Sequence, residues 1–408
     1  MILMEKVLEE IDFLIGEFDQ VDSLFNQRSL DVFSDVTISF ISDISKKILS
    51  DPLVRLYPDV ATFAFYCRRA NLDIIKNNYI LDAELRIGRG ILFHIAPGNV
   101  PVNFAYSLLA GLLTGNINIV RVPSKDFEQV NIICNAIRKS LIAEEYKSIF
   151  SNRIFLVKYN RESIATGFFS KICDVRVIWG GDQTIEDVRK FCIPPHSTEL
   201  TFSDRYSIAI INAESYLRRQ DKSKIALDFY NDTLLFDQNA CTSPQTIYWL
   251  GSLTEVELAK SKFWNLYGGI LKDKEFKLQP IISVDKLTTF YSQAILHGDI
   301  EKEPYESNEI WRVKNKSIHN DIDRFRCTSG YFNEIVISSL NDLSNVINRK
   351  YQSVGYLGFS KEELKEWVMK DKPLGIDRII QIGRTMDFSL KWDGHNLIFA
   401  LSRCIDIE

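Results

Sequence analysis

Cys241 is the residue whose type and surroundings point most directly to chemistry. It lies in the segment FDQNACTSPQ, among small polar residues. A cysteine thiolate is a strong nucleophile, and it forms most readily near a helix N-terminus or a cation. The other six cysteines lie mostly in apolar or helical patterns, as Cys67 and Cys134 do, and such patterns are typical of buried, inert thiols. The loop setting by itself leaves both interpretations of Cys241 open.

A second candidate segment is HIAPGNVPVNF, residues 94–104, which connects a predicted strand to a predicted helix. Turns of this kind bind nucleotides in α/β proteins, because the amides at the start of the helix face the phosphate. After Ala96 and Pro97, Gly98 permits a close approach of the backbone. Asn99 offers a neutral side-chain donor of the kind that stabilises an oxyanion, although spacing alone favours a turn residue or a helix cap.

The third segment, NIVRVPSKD, covers residues 118–126. A predicted strand ends at Val122, and Arg121, Ser124 and Lys125 place two cations and a hydroxyl near that end. Taken alone, the segment is typical of a solvated loop with ordinary surface charges.

The fourth segment, VIWGGDQTI, covers residues 177–185. Trp179, Gly180 and Gly181 lie where a strand gives way to a helix, and a glycine pair there suits a pyrophosphate bound by backbone amides. A lone glycine pair is also common in tight turns, so this signal is weak by itself.

The elements around these segments alternate between strands and helices. We predict them, in order, as strand 90–96, helix 103–113, strand 117–122, helix 127–141, strand 153–157, helix 162–169, strand 175–179 and helix 182–191. Such alternation indicates βαβ units and a parallel sheet, and therefore an α/β fold. Residues 1–80 are predicted to be helical, from apolar positions at helix spacing that include Ile11, Leu14 and Ile15.

Three parts of the chain follow from this pattern. Residues 1–214 are predicted to hold the N-terminal helices and a dinucleotide-binding domain, and residues 215–377 a catalytic domain with the nucleophilic cysteine. Residues 378–408 form a strand-rich C-terminal arm that could join another subunit. A length of 408 residues suits about two or three domains.

Composition excludes several classes of protein. A formal charge of -5 without a basic block makes nucleic acid an improbable partner. The most apolar stretch, residues 101–120, contains three asparagines, so no membrane span is expected. Seven scattered cysteines without a CxxC pair favour a reducing cytoplasm over a disulfide framework. Five dispersed histidines show no metal-ligand spacing, so no metal is expected.

Together and in this order, the four segments resemble the aldehyde dehydrogenase superfamily. APGNVP resembles its PWNFP-type segment, VPS its KPS stretch, and QNAC its catalytic-cysteine loop. A closer resemblance is to the acyl-CoA reductase family typified by the reductase subunit of bacterial bioluminescence. The segments that carry it are YPDVATFAFYCRRANL at 57–72, VRVPS, WGGDQTI, FSDRYS at 202–207, YQSVGYLGFS at 351–360 and the tail from Trp392-Asp393-Gly394.

The resemblance implies an aldehyde dehydrogenase-like fold, with a Rossmann-type cofactor domain and an α/β catalytic domain. It implies that Cys241 takes an acyl group from an acyl-CoA or acyl-carrier thioester, with Asn99 stabilising the oxyanion. NADP(H) then reduces the acyl-enzyme to an aldehyde, and Lys125 favours NADPH because lysine attracts a 2′-phosphate. The cofactor-binding residues that it implies are Ala96, Pro97, Gly98, Arg121, Ser124, Lys125, Trp179, Gly180 and Gly181. A homo-oligomer and an acyl-transferring partner protein are further expectations.

Two departures from the superfamily bear on the chemistry. Phe202 stands where oxidising members carry the glutamate that activates water, although Glu199 is near. Members of the superfamily carry a second glutamate, which holds the nicotinamide ribose. In this sequence its position aligns near Cys327. An aldehyde dehydrogenase that forms the acid therefore stays an alternative, as do a cofactor-free cysteine acyltransferase or thioesterase and a degenerate assembly subunit.

Overall fold

The computed structural model describes residues 7, 9–17, 22–79, 85–98, 100–305 and 307–408. The strands are β1 Asp12–Ile15, β2 Leu85–Gly88, β3 Ile91–Ile95, β4 Ile117–Arg121, β5 Ile154–Lys158, β6 Val175–Trp179, β7 Thr198–Phe202, β8 Tyr206–Asn212, β9 Pro244–Leu250, β10 Ile300–Glu303, β11 Trp311–Asn315, β12 Tyr331–Ile337, β13 Tyr351–Leu357, β14 Arg378–Gln381, β15 Lys391–Trp392, β16 His395–Asn396 and β17 Ser402–Ile405.

The α-helices are α1 Asp35–Ser50, α2 Pro58–Tyr66, α3 Arg69–Tyr79, α4 Asn103–Leu113, α5 Glu128–Ser140, α6 Glu144–Phe150, α7 Ala165–Ile172, α8 Asp182–Arg189, α9 Ala213–Arg218, α10 Lys222–Thr233, α11 Leu253–Asp273, α12 Pro280–Leu296, α13 Lys361–Asp371 and α14 Leu397–Ala400. Short 3₁₀ helices occupy Asp22–Asn26, Pro52–Leu56, Leu234–Phe236, Ile322–Arg324 and Leu340–Leu343.

The chain divides into two compact units, of which one holds residues 1–203 and 395–408 and the other residues 204–394. The C-terminal arm is split between them. Its first strand, β14, pairs with β13 in the second unit, whereas β17 pairs with β2 in the first. Its role in joining another subunit stays a prediction.

The first unit is built on a six-stranded sheet in the order β1-β5-β4-β3-β6-β7. All neighbours run parallel except β1, which is antiparallel to β5. The central strands β3 and β6 are buried along their whole length, and such continuous burial is typical of parallel strands covered on both faces. The prediction of an α/β unit with a parallel sheet is confirmed here.

The prediction that residues 1–80 are helical is wrong near the start of the chain. Residues 12–15 form an edge strand on β5 where a helix was predicted. The three apolar positions at 11, 14 and 15 fit a short strand as well as a helix, because four residues do not resolve the two periods. Val7 and Ile11 join the core of this unit, whereas Leu3, Leu8 and Phe18 of the predicted helix lie outside the described residues.

The second unit carries a seven-stranded sheet in the order β10-β11-β12-β9-β8-β13-β14. Its pairs are parallel except β10 with β11. Two separate helices follow β8, because α9 ends at Arg218 and α10 begins only at Lys222. The amino ends of β8, β9, β12 and β13 meet at one edge of this sheet, and the candidate nucleophile lies there.

Candidate active site

Three of the predicted nucleotide-binding turns meet at the carboxyl edge of the first sheet. β3 lies between β4 and β6, so the turns that follow these strands are neighbours. The chain runs from β3 outward to β4 and β5, and then returns to the other side of β3 as β6. Such a switch point opens the crevice in which α/β sheets bind ligands. Of the predicted residues, Asn99 lies outside the described part of the chain.

The glycines of these turns leave room for a ligand. A methyl group added at Gly98 or Gly181 would meet no atom within 4 Å beyond its chain neighbours. Helix α8 follows Gly181, which provides no side-chain cap for the first helical amides. Since uncapped amides at a helix start attract anions, this turn fits a phosphate. Ala96, by contrast, is buried, and its amide bonds to the Arg121 carbonyl at 3.1 Å.

A cationic group lies at the end of β4. The Arg121 guanidinium donates to Ser124 Oγ at 3.4 Å and to the Tyr159 carbonyl at 3.3 Å, and it lies 4.8 Å above the Tyr159 ring. Its Nε is buried without a hydrogen-bond partner in the described structure. Ser124 and Lys125 are exposed beside it. The structure therefore brings Arg121 and Ser124 together, whereas the Lys125 ammonium lies 5.3 Å from the centre of the Phe127 ring.

Trp179 is fixed by a buried chain of hydrogen bonds. Its indole N–H donates to Ser107 Oγ at 3.0 Å, and Ser107 Oγ lies 2.7 Å from His94 Nδ1. His94 Nε2 lies 3.2 Å from Asn118 Oδ1, which only accepts, so Nε2 carries the hydrogen. Burial lowers the pKa of His94 to about 4. His94 is therefore neutral, and the Ser107 hydroxyl donates to its Nδ1.

Phe202, at the end of β7, packs directly against this tryptophan. The two rings stack with centroids 3.7 Å apart, and His395 meets Phe202 edge-on at 5.7 Å. Both stacked side chains are buried. An aromatic wall therefore occupies the position at which the superfamily comparison places a water-activating carboxylate.

Glu199 is placed differently from Phe202. Residues three apart on a strand point to opposite faces of the sheet. Arg176 Nε and Arg189 Nε each donate to the Glu199 carboxylate at 2.8 Å, one to each oxygen. Both oxygens of the Glu199 carboxylate are therefore occupied by guanidinium groups.

The candidate nucleophile, Cys241, lies in the loop that leads into β9. The loop reverses sharply through Asp237 and Gln238, which have left-handed φ values of 51° and 59°. The buried Gln238 side chain accepts from the amides of Gly330 at 2.9 Å and Tyr331 at 3.2 Å, and it donates to the carbonyls of Pro244 and Tyr331. This amide fastens the loop to the start of β12, so the backbone beside Cys241 is held in place.

The surroundings of the Cys241 thiol favour its neutral form. Burial raises the pKa of the thiol to about 11, and the carboxylates of Asp393 and Asp204 add to the rise. A hydrogen bond from the Gln352 side chain opposes it. The sequence predicted a reactive thiol, whereas a pKa of about 11 leaves the Cys241 thiol protonated at neutral pH. Attack on a substrate therefore requires that the proton be removed.

Several neighbours of Cys241 were missed in the sequence. Ser207 Oγ donates to the Cys241 carbonyl at 2.6 Å and accepts from the Ser353 amide at 3.3 Å. Gln352 lowers the pKa of the thiol and donates to Asp393 Oδ1. These residues come from the starts of β8 and β13 and from the turn after β15. All of them lie in segments that carry the family resemblance, namely FSDRYS, YQSVGYLGFS and Trp392-Asp393-Gly394, and that resemblance is the feature of the sequence that could have identified them.

Other features of the described residues narrow the chemistry. All seven cysteines are free thiols. Cys327 lies before β12, near the position of the second glutamate of the superfamily. Burial raises the pKa of its thiol, and Lys286 opposes the rise.

Within the described ranges, no group of three or more His, Cys, Asp or Glu side chains is arranged to hold a metal ion. In the same part of the chain, we find no helix that combines the length and the apolar character needed to cross a membrane.

Sequence comparisons give a consistent family. A protein-family model described as acyl-CoA reductase (LuxC) matches residues 68–405. The long-chain acyl-protein thioester reductase of Aliivibrio fischeri is 27% identical over 216 residues, which is 50% of this chain and 43% of that protein. The reductase of the same name from Vibrio harveyi is 25% identical over 303 residues, 72% of this chain and 59% of that protein. The chain thus spans about half the length of these curated relatives.

Solved structures confirm the predicted aldehyde dehydrogenase-like fold. A glyceraldehyde-3-phosphate dehydrogenase from Methanocaldococcus jannaschii, complexed with NADP, matches with a TM-score of 0.65 at 11% identity over 99% of this chain and 93% of that chain. Lactaldehyde dehydrogenase from Escherichia coli matches with a TM-score of 0.62 at 12% identity, over 98% and 90% of the two chains. At such low identity the likeness shows the fold alone.

Proposed function

Because the chain belongs to the acyl-CoA reductase (LuxC) family, we propose that it reduces a fatty acyl thioester to the aldehyde with NADPH, through an acyl-enzyme on Cys241. The observation that carries the proposal is the anchored loop at the amino edge of the second sheet. That loop holds one half-buried thiol against hydrogen-bonding neighbours, as nucleophilic catalysis requires. The names of the relatives favour a long acyl chain on a protein or CoA carrier.

The chemistry divides into two steps. In the first, the Cys241 sulfur forms a bond to the acyl carbon, the carrier sulfur leaves, and the thiol proton ends on the carrier. The Asn99 side chain and the Cys241 amide are the proposed oxyanion donors. In the second step the acyl carbon gains a hydride and the Cys241 sulfur leaves with a proton. Bound NADPH supplies that hydride.

The first unit is the proposed site of the cofactor. The open turns at Gly98 and Gly181 fit the pyrophosphate, and Arg121, Ser124 and Lys125 fit the 2′-phosphate. Asp182 places a carboxylate in the first turn of α8. Since this negative charge repels phosphate, we assign the positive charge that attracts the cofactor phosphates to Arg121 and Lys125 at the end of β4.

The wall formed by Trp179 and Phe202 supports reduction over oxidation to the acid. No carboxylate occupies the Phe202 position, and Glu199 is held by arginines on the opposite face of β7. Water activation therefore lacks its superfamily base, and the acyl-enzyme should persist until hydride arrives. A cofactor-free acyltransferase would explain Cys241 but not the open turns of the first unit.

The test is to mix the protein with long-chain acyl-CoA without NADPH and to measure its intact mass and peptide map. We expect one acyl group on Cys241, which NADPH then releases as aldehyde. Cys241→Ser should bind NADPH but form no thioester adduct, whereas Cys192→Ser, at an exposed cysteine, should behave as wild type. Fast release of free acid without NADPH, or acylation of another cysteine, would contradict the proposal.

The same mass measurement can be repeated with acyl-CoAs of several lengths, and with NADH in place of NADPH. The series would identify the preferred acyl chain and cofactor. Acyl transfer from a second protein, in a reducing cytoplasm, is the proposed physiological supply. The free state of all seven cysteines supports that compartment.

A further inference from the structure

We propose that Lys286 is a positioning residue for acylation, because its buried ammonium holds the turn to which the Cys241 loop, residues 237–243, is bonded. The proposal rests on the acyl transfer to Cys241 proposed above. Lys286 lies in α12, and all the groups involved belong to the second unit.

Helix α12 buries polar side chains and leaves apolar ones exposed. Its buried residues are Lys286 and Gln293, which lie seven positions apart and therefore on one face of the helix. Ile281, Val284 and Ile295, by contrast, are 60%, 56% and 83% exposed. Since a helix on a protein surface normally buries its apolar face, the two buried positions of α12 serve hydrogen bonding instead.

The Lys286 ammonium donates to three backbone carbonyls. Lys286 is 0% exposed, and its Nζ donates to the Ser329 carbonyl at 2.6 Å. It also donates to the carbonyls of Asn308 at 2.8 Å and Glu309 at 3.1 Å. Three acceptors take all three N–H groups of an ammonium, whereas a neutral amine has only two. The charged side chain therefore joins the segment before β11 to the turn before β12.

The turn before β12 has a conformation that needs such support. Ser329 and Gly330 both have left-handed φ values, of 56° and 93°. A methyl group added at Gly330 would lie 2.2 Å from the Glu309 carbonyl oxygen, so this turn lies closely against the segment before β11. Left-handed conformations of residues other than glycine are uncommon and persist where surrounding contacts hold them. Lys286 supplies such contacts, because it bonds to both sides of this close approach.

The same turn is bonded to the start of the Cys241 loop. The Ser329 amide donates to the Asp237 carbonyl at 2.9 Å, and the Gly330 amide donates to Gln238 Oε1 at 2.9 Å. Asp237 and Gln238 also have left-handed φ values, of 51° and 59°. Two pairs of left-handed residues are thus joined by two hydrogen bonds, and a shift of one pair would shift the other.

Cys241 lies in the middle of the segment that this contact supports. Gln238 Nε2 donates to the Pro244 carbonyl at 2.9 Å, and Gln245 Nε2 donates to the Gln238 carbonyl at 3.1 Å. Residues 238–244 therefore form a loop that is closed at its base. A shift of the base by about 1 Å would move the thiol, and such a shift can cost about 10²-fold in rate.

The charge of Lys286 changes in the neutral pH range. Burial lowers the pKa of its ammonium to about 7, while Cys327 and Glu309 act to raise it and Lys302 acts to lower it. Below this pH the ammonium can donate to all three carbonyls. Above it, the neutral amine leaves one carbonyl without its donor. The position of Cys241 should therefore become less well defined as pH rises through about 7.

Wild type tests the proposal through two reactions of the same thiol. Acylation by long-chain acyl-CoA without NADPH requires a positioned thiol, whereas alkylation by iodoacetamide requires mainly an ionised one. Since ionisation speeds both reactions, the ratio of their rates at Cys241, measured by peptide mapping, reports position. We expect this ratio to fall by about 10–10²-fold between about pH 6 and about pH 9. A constant ratio would overturn the proposal.

Lys286→Met removes the ammonium but keeps an unbranched side chain. At about pH 6 this variant should acylate about 10²-fold more slowly than wild type, and its ratio should be low at every pH. Lys286→Gln keeps two N–H donors without a charge, so it should acylate at an intermediate rate and also lack the fall with pH. If Lys286→Met does not fold, wild type and Lys286→Gln decide. A folded variant with the wild-type rate and the wild-type fall would overturn the proposal, since Lys286 would then be structural only.

The controls separate this proposal from the proposed function. Lys277→Met makes the same change at an exposed lysine before α12, and it should keep the wild-type rate and pH profile. Tryptophan fluorescence checks that each variant is folded. If wild type takes no acyl group on Cys241, the proposed function fails and this proposal fails with it. If wild type is acylated but its ratio does not depend on pH, only the role of Lys286 fails.

Discussion

Gln238 anchors the Cys241 loop, and its hydrogen bonds predict how much stability is lost when it is replaced. Gln238 is 1% exposed, and its Oε1 accepts from two backbone N–H groups, those of Gly330 and Tyr331. Gln238→Met keeps the volume but leaves both donors buried without this acceptor. An unsatisfied buried donor costs about 1–3 kcal/mol, so the variant should lose about 2–6 kcal/mol of stability. The two carbonyl partners add less, because a carbonyl has a second lone pair.

The assay is urea unfolding followed by tryptophan fluorescence. Five of the six tryptophans lie in the second unit, so the signal reports mainly on that unit; they are Trp249, Trp264, Trp311, Trp367 and Trp392. Asn239→Ala is the matched control, because the Asn239 side chain is exposed and makes one hydrogen bond, at 3.3 Å, to a backbone carbonyl. It should stay within about 0.5 kcal/mol of wild type.

Gln238→Met should also slow acylation of Cys241, because a shift of about 1 Å in a reacting group can cost about 10²-fold in rate. A variant that unfolds within about 0.5 kcal/mol of wild type would refute the assignment of Gln238 as the anchor. A variant that is destabilised but acylates at the full rate would show that the anchor stabilises the unit without positioning the thiol.

Three further predictions concern the cofactor, the pH response and assembly. Lys125→Ala should lose about 10–150-fold of the preference for NADPH over NADH, as one charge-assisted contact of about 1.5–3 kcal/mol disappears, and an unchanged preference in binding titrations would contradict the assignment. Asp232, whose pKa burial raises to about 7, should make the second unit most stable below about pH 4 and progressively less stable as pH rises through 7, and Asp232→Asn should flatten that fall in urea midpoints. Light scattering should show a dimer or a larger assembly, and a monomer at working concentration would contradict the predicted role of the C-terminal arm.

The first unit was largely predictable from sequence, for a geometric reason. Glycine-rich turns that follow successive parallel strands always meet at the same edge of a sheet. Strand and helix positions from 90 to 191 could be placed from local apolar patterns, and the helix at 103–113 was placed at its observed bounds. No long-range information was needed, because each βαβ unit repeats the same local pattern.

The edge strand β1 shows where local patterns fail. Its four residues pair with β5, more than a hundred residues later in the chain. A short apolar segment pairs with a sheet edge that is exposed in the folded protein. The sequence of the segment does not identify that edge. The sequence therefore indicated that residues 11 and 15 are buried but not the conformation that buries them.

The neighbours of the nucleophile could not be predicted from spacing, because they come from strand starts far apart in the chain. Ser207, which donates to the Cys241 carbonyl, and Gln352, which donates to Asp393, are brought to the same edge of the sheet only when β8, β9 and β13 lie side by side. The loop composition around Cys241 suggested reactivity, yet burial and nearby carboxylates act against the thiolate. A local sequence pattern therefore identifies the thiol, but it does not show the burial and the carboxylates that raise its pKa, because these depend on how distant strands pair.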